Sequence, residues 1–112
     1  MAIVSSPEIR ETRAELGLSQ ELFSRALDVS ARSVERWEAR TSVNLDADTW
    51  RRLTAIREVL ALAAEVYAGQ AATFLATPRR SLSMRTPREA MIRGDIEAVR
   101  EILVDELQGN WA

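Results

Sequence analysis

Every basic side chain in this 112-residue sequence is an arginine: 15 Arg, with no Lys and no His, stand against 17 Asp+Glu, for a formal charge of −2. Guanidinium groups present a planar fork of donors suited to phosphates and carboxylates, and they stay protonated. The chemistry they offer is recognition of anionic groups. Without Cys or His there is no thiol nucleophile, imidazole base, disulfide frame or zinc-finger ligand set. Without Lys there is no Schiff base and no P-loop lysine. Carboxylates, Ser and Tyr67 remain, but no constellation sets a nucleophile beside a base. The expectation is a protein that is not an enzyme, with no catalytic residue, no cofactor and no metal.

The elements that must position these groups read as helices throughout. Ser6-Pro7 opens a first helix ending at Gly17, Ser19 and Ser30 each cap a short one, and Asp46 or Asp48 opens a long one running to about Ala68. A short helix holds Phe74 and Leu75 and closes at Thr77-Pro78. Thr86-Pro87-Arg88-Glu89 combines a capping box with a first-turn proline, and Asp95 caps a last helix that stops near Gly109. No segment alternates with period two over a useful length, so the fold class is all-α. In the long helix Leu53, Ile56, Leu60, Ala63 and Tyr67 form one apolar stripe and Ala55, Val59, Leu62 and Val66 a second. Both stripes can be covered by the chain's own domain, or one can pair with a second copy as a homodimer; the pattern does not separate these. The longest apolar run, Val59–Ala64, is far short of the ~20 residues of a membrane span, and no export signal is seen, so a cytoplasmic protein is expected.

Residues 16–38 carry a helix-turn-helix pattern. Phe23, Leu27 and Val29 supply the apolar wedge, the small Ser24 sits where two helices approach closely, and Val34 and Trp37 are the buried face of the second helix. Arg32, Ser33, Arg36 and Arg40 then fall on its outer side, with Gln20 at the start of the first helix. In the usual docking such positions reach base edges and phosphates. The stretch resembles the Xre/Cro-type repressor family. That resemblance implies DNA contacts from Gln20, Arg32 and Arg36, with Ser33 beside them, and an internal salt bridge between Arg13 and Glu38. Asp28 stands where the family often has Gly, and Ala31 where a long polar side chain is common. Residues 1–58 hold nine Arg against ten acids, a net of −1, without the basic excess of an avid binder.

In the C-terminal half charge segregates: residues 77–93 carry five Arg and one Glu, and residues 94–112 one Arg and five acids. These segments can pair with each other, or form a bipolar surface that orients a partner. Ile96, Val99, Ile102 and Leu103 face inward, while Glu97, Glu101 and Asp105 line an acidic outer face. Phe74-Leu75, Pro78, Leu82, Pro87, Gly94 and Val99 follow the order found in the toxin-binding domain of Xre/MbcA/ParS-type antitoxins, and Ser30–Trp37 is especially close to the MbcA branch. Phe74, Arg79 and Met84 stand where Trp, Asn and Gly are commoner.

The resemblance covers nearly the whole chain. It implies a helix-turn-helix bundle with the long helix (1–68), then a small helical toxin-binding domain with a tail (69–112). It also implies a RES-domain toxin that consumes NAD as partner, neutralised when the C-terminal region covers its active-site cleft. Glu101, Asp105, Gln108, Gly109, Asn110, Trp111 and Ala112 are the expected toxin-binding residues, with Trp111 as a buried anchor or, alternatively, folded back on its own helix. Repression of its own operon is the companion expectation. A stand-alone Xre-type repressor, whose C-terminal helices only dimerise or bind an effector, and a scaffold with a degenerate DNA-binding half are the competing readings.

Overall fold

The computed structural model describes residues 2–109. Among these, the chain runs β1 (Ala2–Ser5), α1 (Ser6–Leu16), α2 (Gln20–Leu27), α3 (Ala31–Glu38), β2 (Ser42–Leu45), α4 (Ala47–Tyr67), α5 (Ala71–Ala76), a 3₁₀ turn (Arg80–Leu82), α6 (Pro87–Ile92) and α7 (Ile96–Leu107). The protein is helical, as the period of its apolar residues requires, with one small addition. β1 and β2 pair antiparallel, Val4 opposite Val43 and Ala2 opposite Leu45. Each strand is four residues, too short for alternation to stand out in a sequence. The ribbon brackets α1–α3: it precedes the first and follows the last, and the Ser6 amide extends the tie to the Thr41 carbonyl at 3.1 Å.

Local chemistry explains where the helices begin. Ser5, one residue earlier than expected, is the cap of α1; its hydroxyl accepts from the Glu8 amide while Glu8 reaches back to the Ser5 amide. Thr86 and Glu89 repeat this box at α6, and the side chains of Ser19, Ser30 and Asp46 cap α2, α3 and α4 by accepting from an amide three residues on. Asp95 does not cap α7. Its ψ of 48° turns the side chain away from the first-turn amides, and the carboxylate goes to Arg85 instead, 2.9 Å away.

One contiguous core runs through the molecule. Val4, Ile9, Leu16, Phe23, Leu27 and Val34 of the first part meet Leu53, Ile56 and Val59 of α4, and these meet Phe74, Leu75, Leu82, Met91, Val99 and Leu103. In α4 the stripe Leu53, Ile56, Leu60, Ala63 is buried, and Tyr67 is half-buried at its end. The adjacent stripe is fully covered only at Val59; Ala55, Leu62 and Val66 are half-buried against the same core. Arg51, Glu58 and Glu65 mark the exposed side. Among the described residues no helix is long and apolar enough to cross a membrane.

Candidate functional site

The first candidate surface is α2, its turn and α3. Phe23, Ala26, Leu27 and Val34 are fully buried, and Val29 and Trp37 half-buried around them. Ser24 is 3% exposed, and its hydroxyl donates to the Glu21 carbonyl at 2.5 Å, so the close helix approach leaves no polar atom wanting. Asp28 takes the left-handed conformation (φ 58°) that ends α2. Aspartate tolerates that region better than most residues other than glycine, so glycine is dispensable here.

This packing turns one face of α3 outward. Arg32, Arg36 and Arg40 are exposed, and among the described residues none of the three forms a salt bridge. Ser33 is half-buried in the first turn, its amide donating to the Ser30 hydroxyl at 3.1 Å and the two hydroxyls 3.0 Å apart. Gln20 is half-buried too: its Nε2 donates to Glu38 Oε1 at 3.2 Å. Glu38 is held mainly by Arg13, whose Nε and Nη2 each donate to one carboxylate oxygen at 2.8 Å. The Glu38 side chain is 7% exposed. The Arg13 guanidinium holds the Glu38 carboxyl below the usual glutamate range, and Glu38 in turn raises Arg13. Gln20 and Ser33 are thus engaged inside the motif, and Arg32 and Arg36 are the expected contact residues left free to meet an anion.

The second candidate surface is the C-terminal half. Most of the residues that carried its pattern are its core: Phe74, Leu75, Leu82 and Val99 are at most 2% exposed and Pro87 is buried, while Pro78 and Gly94 are exposed between helices. The loop between α5 and α6 is closed by the Arg79 amide donating to the Arg85 carbonyl at 3.1 Å and the Met84 amide donating to the Arg79 carbonyl at 2.8 Å. Ser83 and Met84 both lie in the left-handed region (φ 57° and 65°), which makes Met84 a natural place for glycine; its side chain is 62% exposed. Much of the segregated charge pairs internally. Arg85 meets Asp95 at 2.9 Å, and Arg100 bridges Glu58 at 2.9 Å and Glu97 at 3.3 Å.

Arg79, Tyr67 and Glu106 form a cluster that no local pattern announces. Arg79 Nη1 donates to Glu106 Oε1 at 2.8 Å and its Nη2 to the Tyr67 hydroxyl at 2.5 Å, while that hydroxyl donates to the other Glu106 oxygen. The Arg79 guanidinium also lies 4.9 Å above the Phe74 ring, which stacks on Tyr67. Burial, reinforced by Glu106, pushes the Tyr67 hydroxyl above its usual range. The partners Tyr67 and Glu106 are 39 residues apart, and only the packing of α7 on α4 joins them.

Among the described residues both signs of charge remain unpaired on this side: Arg80 and Arg93 are exposed outside any salt bridge, and so are two acids of α7. Glu101 and Asp105 are exposed on α7, and among the described residues neither forms a salt bridge. Gln108 and Gly109 are exposed at the end of that helix, while Asn110, Trp111 and Ala112 lie outside the described residues.

Residues 9–56 match the helix-turn-helix family model, so this part of the chain is a helix-turn-helix domain of the Xre type. No curated protein matches the sequence. Among solved structures, the chain is similar to one described as "Crystal structure of the M.tuberculosis MbcT-MbcA toxin-antitoxin complex", at 27% identity and a TM-score of 0.65, over 96% of either chain. In fold the chain is like that structure over nearly its whole length.

Proposed function

We propose that this chain is the antitoxin of a toxin–antitoxin pair, binding its toxin through the C-terminal half and its own operator DNA through α3. The observation that supports it most is the likeness to the MbcT-MbcA complex over 96% of the chain, which takes in both halves in one order. The toxin would be of the RES type that consumes NAD, and the C-terminal region from Glu101 onward, ending Gln108-Gly109-Asn110-Trp111-Ala112, would occlude its active site. Exposed, unpaired Glu101 and Asp105 suit a cationic rim on such a partner. Exposed, unpaired Arg32 and Arg36 suit phosphate or a base edge. A second copy on the half-buried stripe of Ala55, Leu62 and Val66 would present two such α3 helices to DNA; sedimentation as a strict monomer would remove that element.

Two experiments test the two surfaces separately. Co-expression with the toxin encoded beside it should protect cells, and removal of residues 108–112 should abolish protection while the domain stays folded. Full protection by the shortened chain would remove the tail from the mechanism. A salt-sensitive gel shift on the DNA upstream of its own operon should weaken with Arg36→Ala, and a wild-type chain that gives no such shift would refute autorepression.

A further inference from the structure

Arg88 belongs to the start of α6, yet its side chain leaves that helix for the other half of the molecule. Its Nε donates to the main-chain carbonyl of Leu16, 72 residues away, at 2.5 Å. That carbonyl lies in the last turn of α1, among those with no intrahelical amide to accept, and at the end of the helix dipole that favours a cation. The guanidinium also lies against Gly17: a Cβ built there would stand 3.1 Å from Arg88 Nη2. Gly17 therefore answers two demands, a left-handed φ of 70° and room for this side chain.

The same turn is held from its other side by Arg13, whose Nη1 donates to the Leu18 carbonyl at 3.2 Å. Arg13 is also the residue that grips Glu38 at the end of α3, and Glu38 takes the Gln20 amide from the start of α2. Two guanidiniums, one from each half, thus clamp the residues that join α1 to α2. One end of this chain of contacts is α6, and the other is the strut on which α3 rests.

We propose that Arg88 is a positioning residue for the DNA-reading face: it fixes the α1–α2 turn, and through it the start of α2 and the Arg13–Glu38 strut. With its Nε on that carbonyl, it acts in this role through the turn and not through a DNA contact of its own. The proposal rests on reading α3 as the DNA interface, but its first test does not need DNA.

Amide hydrogen exchange on the full chain compares wild type with Arg88→Met and Arg88→Lys. Loss of one charge-assisted hydrogen bond should speed exchange at Gly17 and Leu18 roughly five- to tenfold in Arg88→Met, with Val99–Leu103 unchanged. Arg88→Lys, which keeps the charge without the planar fork, should fall between the two, and it carries the test should Arg88→Met not fold. Binding to a duplex from upstream of its own operon should weaken by a similar factor, with the slope of log affinity against log salt unchanged. Wild-type exchange rates at Gly17 and Leu18 in both variants would overturn the clamp. A salt slope reduced by about one would overturn the positioning role, since Arg88 would then be a phosphate contact itself. A wild-type chain that binds no DNA would sink the operator reading alone, with the exchange rates still deciding the clamp.

Discussion

On α3 and just beyond its end the side chains of Arg32, Arg36 and Arg40 reach solvent with no carboxylate of the described residues in salt-bridge range, whereas in the C-terminal half Arg79, Arg85 and Arg100 each close on a carboxylate at 2.8–2.9 Å. On α7 the exposed acids Glu101 and Asp105 reverse the pattern, standing unpaired among the described residues while Arg100 of the same helix is spent on Glu58 and Glu97. α3 therefore offers a ligand free guanidiniums and α7 free carboxylates, although neither half carries a large net charge. An exposed, unpaired guanidinium keeps its full capacity for a phosphate, while one already paired with a carboxylate is structural. The lesson is that partner type is set by which charges remain unspent after folding, and a count of arginines cannot supply that.

The severest test of the contrast is whether the halves are energetically separate at all. Because Phe74 shares one core with α4 and the helix-turn-helix, Phe74→Ala should cost about 3–5 kcal/mol and lower a single cooperative transition seen by every probe. Two transitions in thermal melting would show independent halves. Next, Arg36→Ala should weaken DNA binding by about 1–3 kcal/mol and leave the melting temperature unchanged; a large loss of stability would make Arg36 structural.

Glu38→Gln should do the reverse of Arg36→Ala, costing about 1–2 kcal/mol of stability at neutral pH, since Glu38 is nearly buried against Arg13. The folded-state pKa of Glu38 is lowered, so its contribution is present above the unfolded glutamate value of about 4.3 and is lost as pH falls through the lower folded value. The stability gap between wild type and Glu38→Gln should accordingly close in acid; a gap that persists at low pH would assign it to packing. The smallest effect is expected of Arg100→Ala, whose pairs with Glu58 and Glu97 are solvent-screened; denaturant titration should show a midpoint close to that of the wild type.

Much of the fold was legible because its signals are local. Ser19, Ser30, Asp46 and Thr86 act on amides three residues away, and Gly17 ends α1 where the pattern stops. The outward face of α3 follows from helical spacing around Val34 and Trp37. Asp95 was misread because capping requires a backbone conformation that a residue type does not guarantee. The two strands escaped because four residues hold too little alternation. Gln20 and Ser33 were identified by position, but their hydrogen bonds to Glu38 and Ser30 depend on side-chain placement. The clamp of Arg88 on Leu16 and the Tyr67–Arg79–Glu106 cluster join residues far apart in the chain, and only tertiary packing brings them together.

If the C-terminal half serves to silence the active site of an NAD-consuming toxin, as proposed, titration of that activity with the purified chain decides the matter. Wild type and Arg36→Ala should both extinguish that activity at stoichiometric ratio, because the DNA-reading face is not involved, and the chain shortened before Gln108 should not. A toxin that keeps its activity in the presence of excess folded wild-type chain would contradict the proposal.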